Sequence, residues 1–272
     1  MDIWIDRTEA AWLNPLYRQA EQTFKGRPLP SHDHTHHMRV WNLCKTILRE
    51  IATFNSRSDP SLVAGVIIAA FFHDLGMAFS TREDHGRLGS ELCRSWFMNS
   101  GREHPERFEE ILQAIELHDR KDVQLYTAFS RDDPPEILGI LTVADDLEAL
   151  GVIGVYRYAE IYLKRGITLK ELGNRILENV KIRFENLSAG CHLCSRLVKR
   201  YRLEYNELCF FFEQYNKQLT GIANPDRIFT GPLGVINYIR RYGIHIPQDE
   251  GARNELTDFF MKLENELDHA RL

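Results

Sequence analysis

Cysteine is sparse in this 272-residue chain: Cys44, Cys93, Cys191, Cys194 and Cys209 form an odd, scattered set. Such a set excludes a disulfide framework and fits a reducing compartment. Long apolar runs are also missing. The longest, over residues 62–72, falls short of the roughly 20 residues a helix needs to cross a bilayer, so a buried core helix is expected there and no membrane partner. Positive charge is not in excess either. The net charge of -5, with His neutral, gives no ground for binding a nucleic-acid polymer. The opening residues, Met1-Asp2-Ile3-Trp4-Ile5-Asp6, lack the basic and then apolar layout of a secretory signal, and a cytoplasmic location is expected. No internal repeat, low-complexity tract or convincing series of alternating strands occurs.

What the chain does have is helical periodicity and histidine. Val40, Leu43, Cys44, Ile47, Leu48 and Ile51 recur at helical spacing, which predicts a helix with the His-rich segment 32–37 near its start. Asn14-Pro15 predicts an interruption in the N-terminal helical segment, and Gly26, Pro28 and Pro30 a break after it. Ser58-Asp59-Pro60 is a helix-start signature. The helix it opens is the apolar run that ends at His73-Asp74, with Gly76 as the stop. Helices are expected at about 85–99 and 105–118, and a polar loop over 119–133. A further helix runs through Asp145 to Leu150, and the capping box Thr168-x-x-Glu171 opens another. A long helix is expected around 193–219. Segment 221–231, with Asn224-Pro225-Asp226, is the best linker, followed by helices near 233–242 and 250–268. The fold class is all-α. The expected organisation is a helical metal-binding domain over 1–220 and a C-terminal helical extension over 221–272, packing on the core or on a partner.

His73-Asp74 closes a helix that is apolar on every face, so both side chains are expected to be buried. Two buried polar groups need partners, and one nitrogen donor beside one oxygen donor suits a divalent cation. Spacing alone leaves His34, His36 and His37 as alternative ligands. Asp145 and Asp146 point about 100° apart on a helix, so one of the two is expected to face the core. His85 and His118 open and close the two helices between these elements.

The order His36-x-x-Arg39-Val40, His73-Asp74-Leu75-Gly76 and Ala144-Asp145-Asp146-Leu147-Glu148-Ala149 resembles the HD-domain superfamily of metal-dependent phosphohydrolases. The resemblance covers roughly residues 30–160. Matched motif to motif, it implies His36, His73, Asp74 and Asp145 as ligands of a core ion. His85-Gly86-Arg87-Leu88-Gly89-Ser90 and Ile115-Glu116-Leu117-His118 look like the extra-histidine motifs of the dinuclear branches, which implies that Asp74 bridges to a second ion completed by His85 and His118. The implied cofactor is one or two divalent ions, with Mn, Fe, Mg, Ni and Zn not distinguished by these donors. The implied activity is hydrolysis of a phosphate ester of a nucleotide or another small metabolite. In that chemistry Asp74 and Asp145 ligate, one of them also orienting or deprotonating water, and His85 or His118 serves the leaving group where a single ion is bound. Arg39, Arg87, Arg120 and Lys121 are candidates for the phosphate, each weighed against an ordinary salt bridge or a solvated charge.

The sequence departs from several hydrolytic branches at Met77, where those carry a lysine. Two other classes share the pattern: di-iron oxygenases resembling myo-inositol oxygenase, and a catalytically silent binding domain, against which the intact six-residue set argues. Cys191-His192-Leu193-Cys194 has half the spacing of a zinc site but no second half, so it reads as ordinary helix residues. The aromatics Tyr201, Tyr205, Phe210 to Phe212 and Tyr215 could stack a nucleobase, but helical spacing favours packing on another helix, in this chain or in a second copy of it.

Overall fold

The computed structural model describes residues 1–27, 29–54, 59–120, 136–191, 195–244 and 255–269. Among them the chain is helical, with no strand, as the periodicity predicts. The α-helices are α1 (Asp2–Phe24), α2 (His34–Phe54), α3 (Pro60–Phe72), α4 (His85–Ser100), α5 (Phe108–Leu117), α6 (Ile137–Glu148), α7 (Gly151–Lys164), α8 (Leu169–Gly190), α9 (Ser195–Arg200), α10 (Arg202–Leu219), α11 (Gly231–Tyr242) and α12 (Glu255–His269). Short 3-10 turns occupy Pro30–His32, Leu75–Ala78 and Pro225–Arg227.

These helices form two compact units, one of Met1–Glu148 with Glu185–Lys199 and the other of Ala149–Phe184 with Arg200–Leu272. The line drawn near residue 220 from the sequence therefore falls inside the second unit. There α11 packs on α7 and α10, and α12 packs on α7 and α11. The expected linker is pinned, because Asn237 Nδ2 donates to Pro225 O at 2.7 Å and to Ile228 O at 2.8 Å. The aromatic series mostly packs as well. Phe212 and Tyr215 are buried, Tyr215 Oη donates to Leu169 O at 2.8 Å, and Tyr205 stacks on Phe184.

In the first unit α3 is the centre. It packs against α1, α2, α4, α5 and α6, which explains why it is apolar all round rather than on one stripe. Asp59 caps it, accepting from the Ser61 backbone N–H at 2.9 Å, and Pro60 takes the first helical position. Together with the following turn, Pro60–Ala78 is long and apolar enough to cross a membrane, more than residues 62–72 alone suggested, yet 83% of its apolar window is buried inside the fold.

Two expected breaks fall differently. Helix α1 runs continuously through Pro15. Proline costs a helix one backbone hydrogen bond, and burial of Ile5, Leu16, Ala20 and Phe24 against the core offsets that loss. The helix expected over 193–219 is two, α9 and α10, joined at Tyr201. Residues 121–135, 192–194 and 245–254 lie outside the described residues. They include Lys121, most of the expected polar loop, and His192 and Cys194 of the half-motif, whose Cys191 is buried.

Two glycines let α4 reach the rest of the unit. A Cβ on Gly86 would sit 2.7 Å from Glu116 O, and one on Gly89 would sit 2.5 Å from Phe72 O and 3.0 Å from His73 O. The start of α4 thus lies directly on the backbone ends of α3 and α5. Gly89→Ala forces a methyl group onto carbonyl oxygens that cannot rotate away. We expect it to cost about 1–3 kcal/mol, the range of overpacking changes, measured as a lower urea midpoint with an unchanged slope.

Candidate metal centre

Each of the six residues sits where an element begins, ends or turns inward. His36 lies in the first turn of α2, His73 and Asp74 in the turn leaving α3, His85 at the start of α4, His118 just after α5, and Asp145 inside α6. All six are buried, from 0% exposure for His36 and His73 to 6% for Asp145. They form two groups whose donor atoms lie within 4.8 Å of one another: His36, His73, Asp74 and Asp145, and Asp74, His85 and His118.

Asp74 belongs to both groups, and its two oxygens divide between them. Oδ1 lies 3.2 Å from His118 Nε2 and 3.4 Å from His85 Nε2. Oδ2 lies 3.4 Å from Nε2 of His36 and of His73. Asp145 Oδ1 completes the first group at 3.7 Å from His36 Nε2 and 3.8 Å from His73 Nε2. The Nε2 atoms of His36 and His73 are 3.2 Å apart.

Three histidines are aimed by the backbone. The Nδ1 of His73, His85 and His118 donates to the carbonyl three residues earlier, on Ala70 at 2.9 Å, Arg82 at 2.7 Å and Ile115 at 2.7 Å. This fixes the proton on Nδ1 and turns Nε2 toward the carboxylates, the arrangement metal-ligating histidines favour.

Four donors around one ion, each bound at about 2.1 Å, stand about 3.0–3.4 Å apart. The shorter contacts of the first group fall in that interval and the longer ones exceed it by a few tenths of an ångström. A buried nitrogen-oxygen donor set of this kind fits a divalent cation. It does not distinguish among Mn, Fe, Mg, Ni and Zn.

The charges fit a site held ready for a cation. Burial alone would raise the pKa of Asp74, but His73, His118 and His36 outweigh it and hold the carboxyl well below its usual range. His118 shows the converse. Burial lowers its pKa, yet the hydrogen bond and charge of Asp74, with Asp145 and Asp119 beyond, raise it to about 9. His73 is lowered because burial dominates its carboxylate neighbours.

Among the histidines that spacing left open, His36 is at the centre. His37 is also fully buried, but its Nδ1 meets Ala70 O at 3.0 Å and its ring stacks on Phe71. Burial, then the charges of His73 and His36, keeps it neutral. His34 is half-buried, edge-on to Tyr17. The first histidine of the His-rich segment, outside the alternatives that spacing left as ligands, also neighbours the centre. His32 is 5% exposed, its Nε2 lies 3.8 Å from Asp74 Oδ2, and its Nδ1 meets Ser31 Oγ at 2.6 Å. The signal was there in Pro30-Ser31-His32, where a proline opens the turn that carries this ring inward.

Asp145 and Asp146 are both buried, which corrects the expectation that only one faces inward. Helix α6 packs against α2, α3 and α5, so it offers neither residue a solvent face. Arg39 is 4% exposed, and its Nε donates to Glu148 Oε1 at 2.5 Å. It takes the salt bridge that the sequence weighed beside phosphate contact. Arg87 is half-exposed and pairs with Glu91 Oε1 at 2.5 Å on its own helix, while Arg120 is exposed. Met77 is buried in the turn after Asp74.

Residues 34–150 match the family model of the HD domain. This segment is an HD domain. The domain belongs to a superfamily of metal-dependent phosphohydrolases, and the buried His/Asp groups are compatible with divalent metal binding. Neither the curated proteins nor the solved structures gave a match.

Without an ion, His118 keeps both ring protons up to about pH 9; ligation through Nε2 requires one to leave. Metal binding at neutral pH is therefore expected to release about one proton, and affinity to rise about tenfold per pH unit between pH 6 and 8. Calorimetric titration with Mn2+ in buffers of different ionisation enthalpy reads both. A flat pH profile with no proton release would remove His118 from the ligand set.

Proposed function

We propose that this HD domain hydrolyses a phosphate ester of a nucleotide or another small metabolite, using two divalent ions that share Asp74. The observation that carries the reading is the division of the Asp74 oxygens, Oδ2 toward His36 and His73, Oδ1 toward His85 and His118. A divalent ion in such a site supplies an acidified water and positive charge for a phosphate oxyanion. The residues supply the rest. Asp74 and Asp145 hold negative charge where cations are wanted, and the backbone-anchored imidazoles keep their Nε2 atoms in place with no reorganisation during the reaction. Either carboxylate is placed to orient or deprotonate an attacking water. His85 or His118 would protonate the leaving oxygen where a single ion is bound.

His32 is the group best placed to meet the substrate, since it borders the cluster and lies outside both ligand groups. Arg87 and Lys121 remain phosphate contacts in this reading, whereas Arg39, engaged with Glu148, does not. The expected partner is a small phosphorylated molecule, with no nucleic-acid polymer or membrane involved, and the protein is expected to work in the cytoplasm.

The test is a phosphate-release screen over nucleotides and sugar phosphates, on protein stripped of metal and reloaded with Mn, Fe, Mg, Ni or Zn in turn. Asp74→Ala should lose metal retention and turnover together, by more than the 10- to 100-fold typical of a group that only orients a ligand. Full activity in that variant would exclude the site. Oxygen consumption without phosphate release, in protein loaded with iron, would move the reading to the oxygenase class.

A further inference from the structure

His36 is held differently from the other three histidines of the centre. Their Nδ1 atoms meet neutral backbone carbonyls. His36 Nδ1 instead has a carboxylate oxygen beside it, Glu148 Oε2 at 3.2 Å, in ion-pair range. The other oxygen of Glu148 receives Arg39 Nε at 2.5 Å, and Arg39 Nη1 donates to Thr35 Oγ1 at 3.0 Å. Thr35 Oγ1 in turn donates to Asp33 Oδ1 at 2.6 Å. His36, Arg39 and Glu148 are 0%, 4% and 5% exposed.

A buried carboxylate is costly, and a salt bridge to arginine at best compensates for its desolvation. An ion pair of this kind is therefore poorly explained by stability alone. A carboxylate behind a ligating imidazole, by contrast, fixes its tautomer and raises its basicity as a donor, more strongly than a carbonyl does. We infer that Glu148 is the positioning residue of His36, and that Arg39 is there to neutralise Glu148 rather than to bind phosphate. The arrangement makes His36 the strongest nitrogen donor of the four-residue group. Arg39 fits the second task because its planar fork meets one carboxylate oxygen and a hydroxyl of its own helix at once. The inference rests on the metal reading above and concerns the group that contains His36.

A double substitution separates positioning from plain structure. Arg39→Met alone leaves Glu148 charged and buried, and should lower the melting temperature. Adding Glu148→Gln removes the second charge and should restore it. If the pair were only structural, the restored double variant would bind metal as the wild type does. If Glu148 positions His36, the double variant should still bind Mn2+ 10- to 100-fold more weakly at the tighter of two calorimetric steps. Glu148→Gln alone should show the same loss, and Glu148→Asp a smaller one. Wild-type affinity in the double variant overturns the assignment and leaves the metal reading standing. Absence of any Mn2+ binding by the wild type overturns both. The wild type also gives a test that needs no variant: imidazole 15N spectra of the Mg2+- or Zn2+-loaded protein should show the His36 proton on Nδ1. An unprotonated Nδ1 would overturn the assignment.

Discussion

A carboxylate 3% exposed, in contact with five imidazoles, is the constraint around which the first unit is organised. Asp74 is buried because α3 delivers it from the interior of the unit, and burial of an unpaired charge is prohibitive. The neighbouring helices answer that cost. Helix α2 brings His36, α4 brings His85, the end of α5 brings His118, and the turn before α2 brings His32. Elements that share no local sequence signal are held in register by one electrostatic requirement.

The backbone makes this convergence reproducible. Three of the rings are anchored to the carbonyl three residues earlier, a contact built into the local chain path at each position. Gly86 and Gly89 let α4 approach the ends of α3 and α5 closely enough for these anchored rings to meet. The fourth ring, His36, sits in the first turn of its helix and meets Glu148 instead. One imidazole is thereby linked to α6 through a charged pair, whereas the others are set by their own segments. The difference gives the two ends of Asp74 unequal surroundings.

Much of the site could be read from residue order, because its motifs are local. His73-Asp74 closing an all-apolar helix marks burial without any knowledge of the neighbours, and the family resemblance then selects His36 and Asp145 from the alternatives that spacing left open. What the sequence misjudged shares one cause. Pro15 sits inside α1 and Asp146 is buried beside Asp145, while the salt bridge of Arg39 with Glu148 was one of two readings left open. Each depends on what packs against the residue from another element. A helical wheel assumes a solvent face, and α6 has almost none. Arg39 and Glu148 are 109 positions apart, beyond any pattern of spacing.

The sequence by itself determined the all-helical class and the core role of α3, since periodicity and capping are properties of neighbouring residues, and its short motifs, through the family resemblance, named six candidate donors. Tertiary structure alone decided that His32 borders the centre, that the Asp74 oxygens divide between two groups, and that Arg39 is occupied. Those facts depend on distances between atoms far apart in the chain, and such distances are set only when the helices close around a shared buried charge.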